Sequence, residues 1–238
     1  MKMIRVIPGL IRKLFLALLF AGPALSAQEV SVQGVVGENN AYGWFGGAAV
    51  GVHYPITKAF EADAGIEATA PGVGAFTLTA RPVFTLPYGS LFLEGSFHSE
   101  VYGCYRNVLF VSAASVGYRM PYLTAQIGVM TRILGGTDRR WSSTDDYVVE
   151  PFDILYRVAC QVRPPQSRWN LGCGVGNFTR FHYERSMQPI FFLDGTADLG
   201  HSLRFLAELD LRPTGMFHLT TYWYGFSLYA GVAYRFGK

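Results

Sequence analysis

Charged side chains are scarce in this chain. Asp, Glu, Lys and Arg make up 16% of its 238 residues, against about 25% in ordinary soluble domains. Hydrophobic residues reach 50%, yet beyond residue 27 no stretch of about 18 uninterrupted apolar residues occurs, which excludes a membrane-spanning helix there. Cysteine is nearly absent: Cys104, Cys160 and Cys173 have spacings that match no metal or redox motif. No basic cluster follows residue 27, so nucleic acid is not an expected partner. What the chain does have is 18 Phe, 14 Tyr and 27 Gly, a mixture that suits strands and turns more than helices.

The basic residues concentrate at the front. Lys2, Arg5, Arg12 and Lys13 precede an apolar core, LFLALLFA (Leu14 to Ala21). Gly22 and Pro23 break that core, and ALSA ends in Ser26 and Ala27. This order of basic, apolar and small residues is that of a cleaved secretory signal, expected over residues 1–27, with no Cys after it to take a lipid anchor. Without those four cations, 16 basic residues face 17 acidic ones, a balance of −1. In an exported chain three Cys leave at least one unpaired. Cys160 and Cys173 fit either a bridge between neighbouring strands or two small apolar side chains on an outer face.

After the signal, stretches of about ten alternating residues repeat. In FDILYRVACQVR, Phe152, Ile154, Tyr156, Val158, Cys160 and Val162 share one face, and Asp153, Arg157, Gln161 and Arg163 lie on the other. SLRFLAELDLR sets Leu203, Phe205, Ala207, Leu209 and Leu211 against Arg204, Glu208, Asp210 and Arg212, with Leu206 the exception; alone it would also fit an amphipathic helix through Leu203, Leu206, Ala207 and Leu211, and its neighbours decide for strand. AFEADAGIEA, YLTAQIGVMTRI and FFLDGTADL behave alike. Short turns at 54–58, 86–90, 118–122, 163–168 and 199–202 carry Pro, Gly and Ser. They alternate with more polar connections at 68–74, 102–107, 134–150, 183–188 and 212–216. The pattern predicts about twelve strands: 29–37, 43–53, 58–69, 75–86, 89–101, 107–118, 121–134, 151–162, 169–181, 189–199, 202–212 and 220–236.

A strand with one apolar face and one face bearing Asp, Glu and Arg fits a closed cylinder in lipid. There every backbone hydrogen bond must be met within the protein, and about 9–11 tilted residues cross the hydrocarbon. The expected fold is all-β: an antiparallel up-and-down transmembrane β-barrel of about twelve strands, both termini periplasmic, filling residues 28–238 as one domain. Tyr54, Tyr88, Tyr118, Tyr122 and Trp169 beside the short turns read as one aromatic girdle, and Tyr222, Trp223 and Tyr224 as part of the other. The competing fold is a soluble sandwich or lipocalin-like barrel, which would turn its apolar face inward.

The last alternating stretch, LYAGVAYRF, resembles the C-terminal insertion signal of bacterial outer-membrane β-barrel proteins, with Gly231, Tyr234 and Phe236 at its key positions. Gly237 and Lys238 follow the aromatic on which many members end. The resemblance implies recognition by the barrel-assembly machinery, closure of the last strand on the first, and residence in the outer membrane of a Gram-negative bacterium, in contact with its lipid. It assigns no subfamily.

The polar faces nominate a lumen lined by Glu61, Asp63, Glu67, Arg81, Glu94, His98, Glu100, Arg132, Asp153, Arg157, Asp194, Asp198, Arg204, Glu208, Asp210 and Arg235. Two readings stand: a charge-pairing network in an occluded barrel, or a polar conduit whose field selects solutes. Gly172, Gly174 and Gly176 share the inward face, either making room or relieving curvature. Some outer-membrane barrels are lipid hydrolases with a lipid-facing His and Ser two residues apart. Here His98 and Ser99 are consecutive and point to opposite faces, so catalysis is not expected. Asp138, Asp145 and Asp146 match no calcium-loop spacing, and no metal or cofactor is expected. The sequence thus points to a small porin or passive channel for small polar solutes. The alternatives are a non-transporting structural or interaction barrel and, third, a lipid hydrolase.

Overall fold

The computed structural model describes residues 29–39, 43–70, 72–102, 107–136, 147–164, 167–213 and 225–236. The signal segment, the Asp138, Asp145 and Asp146 group, Cys104 and Tyr222 to Tyr224 lie outside the described residues. Twelve strands follow in order: β1 (Glu29–Asn39), β2 (Gly43–Thr57), β3 (Phe60–Ala70), β4 (Val73–Leu86), β5 (Gly89–Tyr102), β6 (Asn107–Arg119), β7 (Leu123–Gly136), β8 (Tyr147–Val162), β9 (Trp169–Gly176), β10 (Ile190–Asp198), β11 (Leu203–Arg212) and β12 (Gly225–Arg235). Each pairs antiparallel with its sequence neighbours. β1 pairs with β12 from Glu29↔Arg235 to Asn39↔Gly225, so the sheet closes into a barrel without edges.

Alternation sets the two surfaces. In β4, Ala75, Thr77 and Thr79 are buried while Phe76 and Leu78 are 38% and 49% exposed. In β8, Leu155 is fully buried, and Phe152, Ile154 and Val158 lie on the exterior. A cylinder that is apolar outside and polar inside is a transmembrane barrel; the soluble alternative needs the opposite orientation. Exposed Tyr88, Tyr122 and Trp169 ring one end beside the short turns. That end also holds the start of β1 and the finish of β12.

Three expectations change in detail. β9 stops at Gly176 rather than reaching residue 181, and the chain from 177 to 189 turns inward. The connection expected over 68–74 shrinks to residues 71 and 72, because β3 and β4 run on and Gly72 takes φ +125°. β8 begins at Tyr147, so the long connection before it spans 137–146. Cys160 and Cys173 stand opposite each other on β8 and β9; both are free thiols on the outer face.

Candidate functional site: the lumen and its inward-folded segment

β9 ends because Asn177 takes over the edge of β8. Its backbone N–H donates to Tyr156 O at 3.0 Å, its Oδ1 accepts from Tyr156 N at 2.9 Å, and its Nδ2 donates to Ile154 O at 2.7 Å. A side-chain amide thus replaces the next rung of the ladder, and the backbone is free to leave the wall. Beyond it the chain folds on itself: Phe178 bridges Tyr183, Thr179 N donates to His182 O at 2.8 Å, and Glu184 N donates to Asn177 O at 2.7 Å. Phe178 and Tyr183 stack at 5.5 Å.

This small hairpin crosses the barrel. Arg180 donates to Ser31 Oγ on β1 and to Ala64 O on β3, each at 3.3 Å. Its own carbonyl accepts from Thr77 Oγ1 on β4 at 2.8 Å. Tyr183 donates to Ser96 Oγ on β5 at 3.0 Å, and His182 Nε2 meets Tyr229 Oη on β12 at 3.0 Å. The facing wall makes room through Gly51 and Gly65. A Cβ at Gly51 would fall on the Arg180 guanidinium, and one at Gly65 would sit 2.8 Å from the Phe181 ring. On β9, Gly172 and Gly174 similarly leave space for Asp194 and Phe192.

The sequence-nominated residues fall into groups. Arg81 pairs with Glu61 at 3.0 Å, Asp63 at 3.5 Å and Glu94 at 2.6 Å, and Gln126 also donates to Glu94. Near the short-turn end, Arg235 and Arg204 hold Glu29, and Arg204 also reaches Asp198 at 3.1 Å. Higher up, Arg132 pairs with Glu150 at 3.0 Å, and Asp153 accepts from Ser186 N at 3.0 Å. His98, wholly buried, bonds Thr77 and Glu100 at 2.8 Å each, and its ring lies 4.8 Å from that of Tyr183. Glu67 accepts from Tyr229 at 2.8 Å. Arg157 lies over the Phe192 ring at 4.2 Å and the Phe178 ring at 5.8 Å. Asp194 and Glu208 complete that wall, and Asp210, two residues after Glu208, is fully buried.

Sequence reading missed Asn177, Arg180, His182 and Tyr183, since it continued β9 through residue 181 and took 183–188 as a polar connection. One signal was there. Extending the outward phase of Leu171, Cys173 and Val175 would aim Asn177 and Thr179 at lipid, which a membrane strand avoids.

Between the hairpin and the short-turn end lies a cavity of about 610 Å³. Glu29, His53 and Arg119 line it near its mouth, and Phe178, Arg180 and Tyr183 on the hairpin side. A closed twelve-stranded cylinder enclosing a polar cavity is now complete. Its fold is similar to that of porins. The KdgM porin in complex with disordered oligogalacturonate superposes with TM-score 0.53 at 9% identity, covering 87% of this chain and 99% of that one. The translocator domain of the autotransporter NalP from Neisseria meningitidis gives TM-score 0.55 at 15% identity, covering 90% of each chain. The NanC porin gives 0.50 at 8%, covering 85% of this chain and 98% of that one. These are likenesses of fold. No family model and no curated protein matches the sequence.

Proposed function

We propose that this protein is an outer-membrane channel of the porin type, passing small polar solutes through a lumen narrowed by residues 177–189. The observation that carries the reading is the polar cavity of about 610 Å³ reaching the short-turn end of a barrel whose exterior is apolar. In this reading residues 1–27 direct export and are removed. The barrel-assembly machinery inserts the chain, the short-turn end faces the periplasm, and lipid contacts the outer surface. The lumen residues named above set the field that a solute meets.

The cross-braces from the hairpin to β1, β3, β4, β5 and β12 favour a second reading, a closed barrel with a structural or interaction role. A lipid hydrolase is less well supported, because His98 is enclosed at 0% exposure away from the lipid face. Release of fatty acid from phospholipid vesicles, lost in His98→Ala, would restore that reading.

Planar-bilayer conductance separates the first two. The refolded chain is compared with a variant in which residues 178–187 are replaced by a Gly-Ser linker, both checked for a change of gel mobility on boiling. Stable current steps from the unaltered chain, larger in the variant, support the narrowed channel. A silent parent with a conducting variant assigns the hairpin as a closure. Silence from both, with both folded, removes the conduit reading.

A further inference from the structure

The hairpin meets the far wall at a place shaped to receive it. Ser31 on β1, Gly51 on β2, Gly65 on β3 and Thr77 on β4 stand opposite one another in a single row across four strands. Glycine inside a strand weakens it and packs nothing, and two in register mark a close approach by another group. Together they leave a notch between Ser31 and Thr77, and the Arg180 guanidinium fills it. A Cβ at Gly51 would fall on that group, and one at Gly65 would lie 3.2 Å from its Nε.

The chemistry of the notch is one-sided. Ser31, 5% exposed, donates its own proton to Gly51 O at 3.3 Å, so its oxygen turns a lone pair to the notch and accepts from Arg180 Nη1 at 3.3 Å. Ala64 O accepts from Arg180 Nη2 at 3.3 Å. Two acceptors reached by two nitrogens of one planar group suit a guanidinium. An ammonium has a single nitrogen, and a carboxylate brings no donor. Both bonds go to neutral oxygens and are long, so Arg180 is held loosely. Glu29, Asp63 and Glu208 line the adjoining cavity, and their charges favour a cation here. The cations that share the cavity are drawn elsewhere, Arg81 to its own three carboxylates and Arg157 over the Phe192 ring.

We propose that this notch is a guanidinium-binding site, occupied from within by Arg180 when the hairpin is seated, and that a small guanidinium-bearing solute competes for it and unpins the hairpin from β1 and β3. The internal occupant defines what the site accepts, and the cavity beside the notch has room for a small solute. Tethering gives Arg180 an effective concentration on the order of millimolar, so a free solute displaces it only above that level. The proposal rests on the conduit reading for the solute's route to the site, and it names the class of solute to which the conduit responds.

Isothermal titration of the refolded barrel in a non-ionic detergent tests it. The probes are propylguanidinium, which copies the arginine side chain, propylammonium, and neutral propylurea. Arg180→Ala vacates the notch, and the variant with residues 178–187 replaced by the Gly-Ser linker vacates it a second way; both are checked for a change of gel mobility on boiling. Each vacated barrel should bind propylguanidinium about tenfold more tightly than the parent, in which Arg180 competes. Each should also prefer it at least tenfold over the other two probes. Gly51→Ala added to Arg180→Ala should abolish binding, because the new methyl takes the place of the guanidinium. Equal binding of the three probes, no propylguanidinium binding to either vacated barrel at millimolar concentration, or binding that survives Gly51→Ala overturns the site. A parent that binds as tightly as the vacated barrels, or one that never binds, overturns the competition. The readout needs no current. Specific binding in a silent barrel keeps the site and removes the conduit, and conduction without propylguanidinium binding does the reverse.

Discussion

Arg81 holds Glu61, Asp63 and Glu94 in one cluster, with its side chain only 18% exposed. Removing it takes the shared arginine from three carboxylates, leaving Asp63 only His53, Glu94 only Gln126 and Glu61 only the distant Arg119, so Arg81→Met should destabilise the barrel by about 3–5 kcal/mol. Arg119 makes a looser contact of 3.8 Å to Glu61 and is 43% exposed. Arg119→Met should cost no more than about 1 kcal/mol. Urea unfolding of the barrels in lipid vesicles measures both; equal effects would contradict the ranking. Asp210 presents the opposite case. It is 0% exposed, and among the described residues neither carboxylate oxygen has a hydrogen-bond partner. An unsatisfied buried carboxylate costs more than an amide of the same shape, so Asp210→Asn should stabilise by roughly 1–3 kcal/mol in the same assay.

At the scale of elements, the decisive feature is the unequal length of neighbours. β8 has 16 residues and β9 only 8. The unpaired upper edge of β8 is met at Ile154 and Tyr156 by Asn177, whose amide supplies both an acceptor and a donor. Asn177→Ala removes both and exposes the fold-back point of the hairpin. It should cost about 1–3 kcal/mol and raise the frequency of open-channel events in the bilayer, as the hairpin loses its hinge. A fall in stability with no change in current would limit Asn177 to a packing role.

For the whole molecule, the orientation of the two faces is the property to test. Val129 lies on the exterior of β7, 43% exposed, six residues from the strand's start. Val129→Arg should destabilise the barrel in a bilayer by about 2–4 kcal/mol if that position is near the midplane. A barrel with its exterior in water would tolerate the same change within about 0.5 kcal/mol. Comparing refolding free energies in vesicles with those of the parent decides between them. The polar cavity follows from the same orientation: every second residue faces in, so acids and arginines from different strands meet in one lumen.

How much of this was legible in the sequence differs by feature. The twelve strands follow from local alternation, which is a property of each strand alone, whereas bounds such as the end of β9 at Gly176 and the start of β8 at Tyr147 do not. Lumen residues such as Arg81 and Glu61 could be nominated together because facing parity is set by position along a strand. Their pairing could not, since it depends on register between β3, β4 and β5. The inward hairpin was hidden for a related reason. FTRFHYE carries enough aromatic residues to pass for more strand, and what turns it inward is a bond from Asn177 to a strand some twenty residues earlier, with room left by Gly51 and Gly65 on the far wall. The sequence by itself determined the strand count and the polar face of most strands, β6 with its two fairly apolar faces excepted, because those depend on period two and neighbouring residues. Only the tertiary structure decided that the lumen is crossed, and which charged side chains pair within it, because both depend on contacts between residues far apart in the chain.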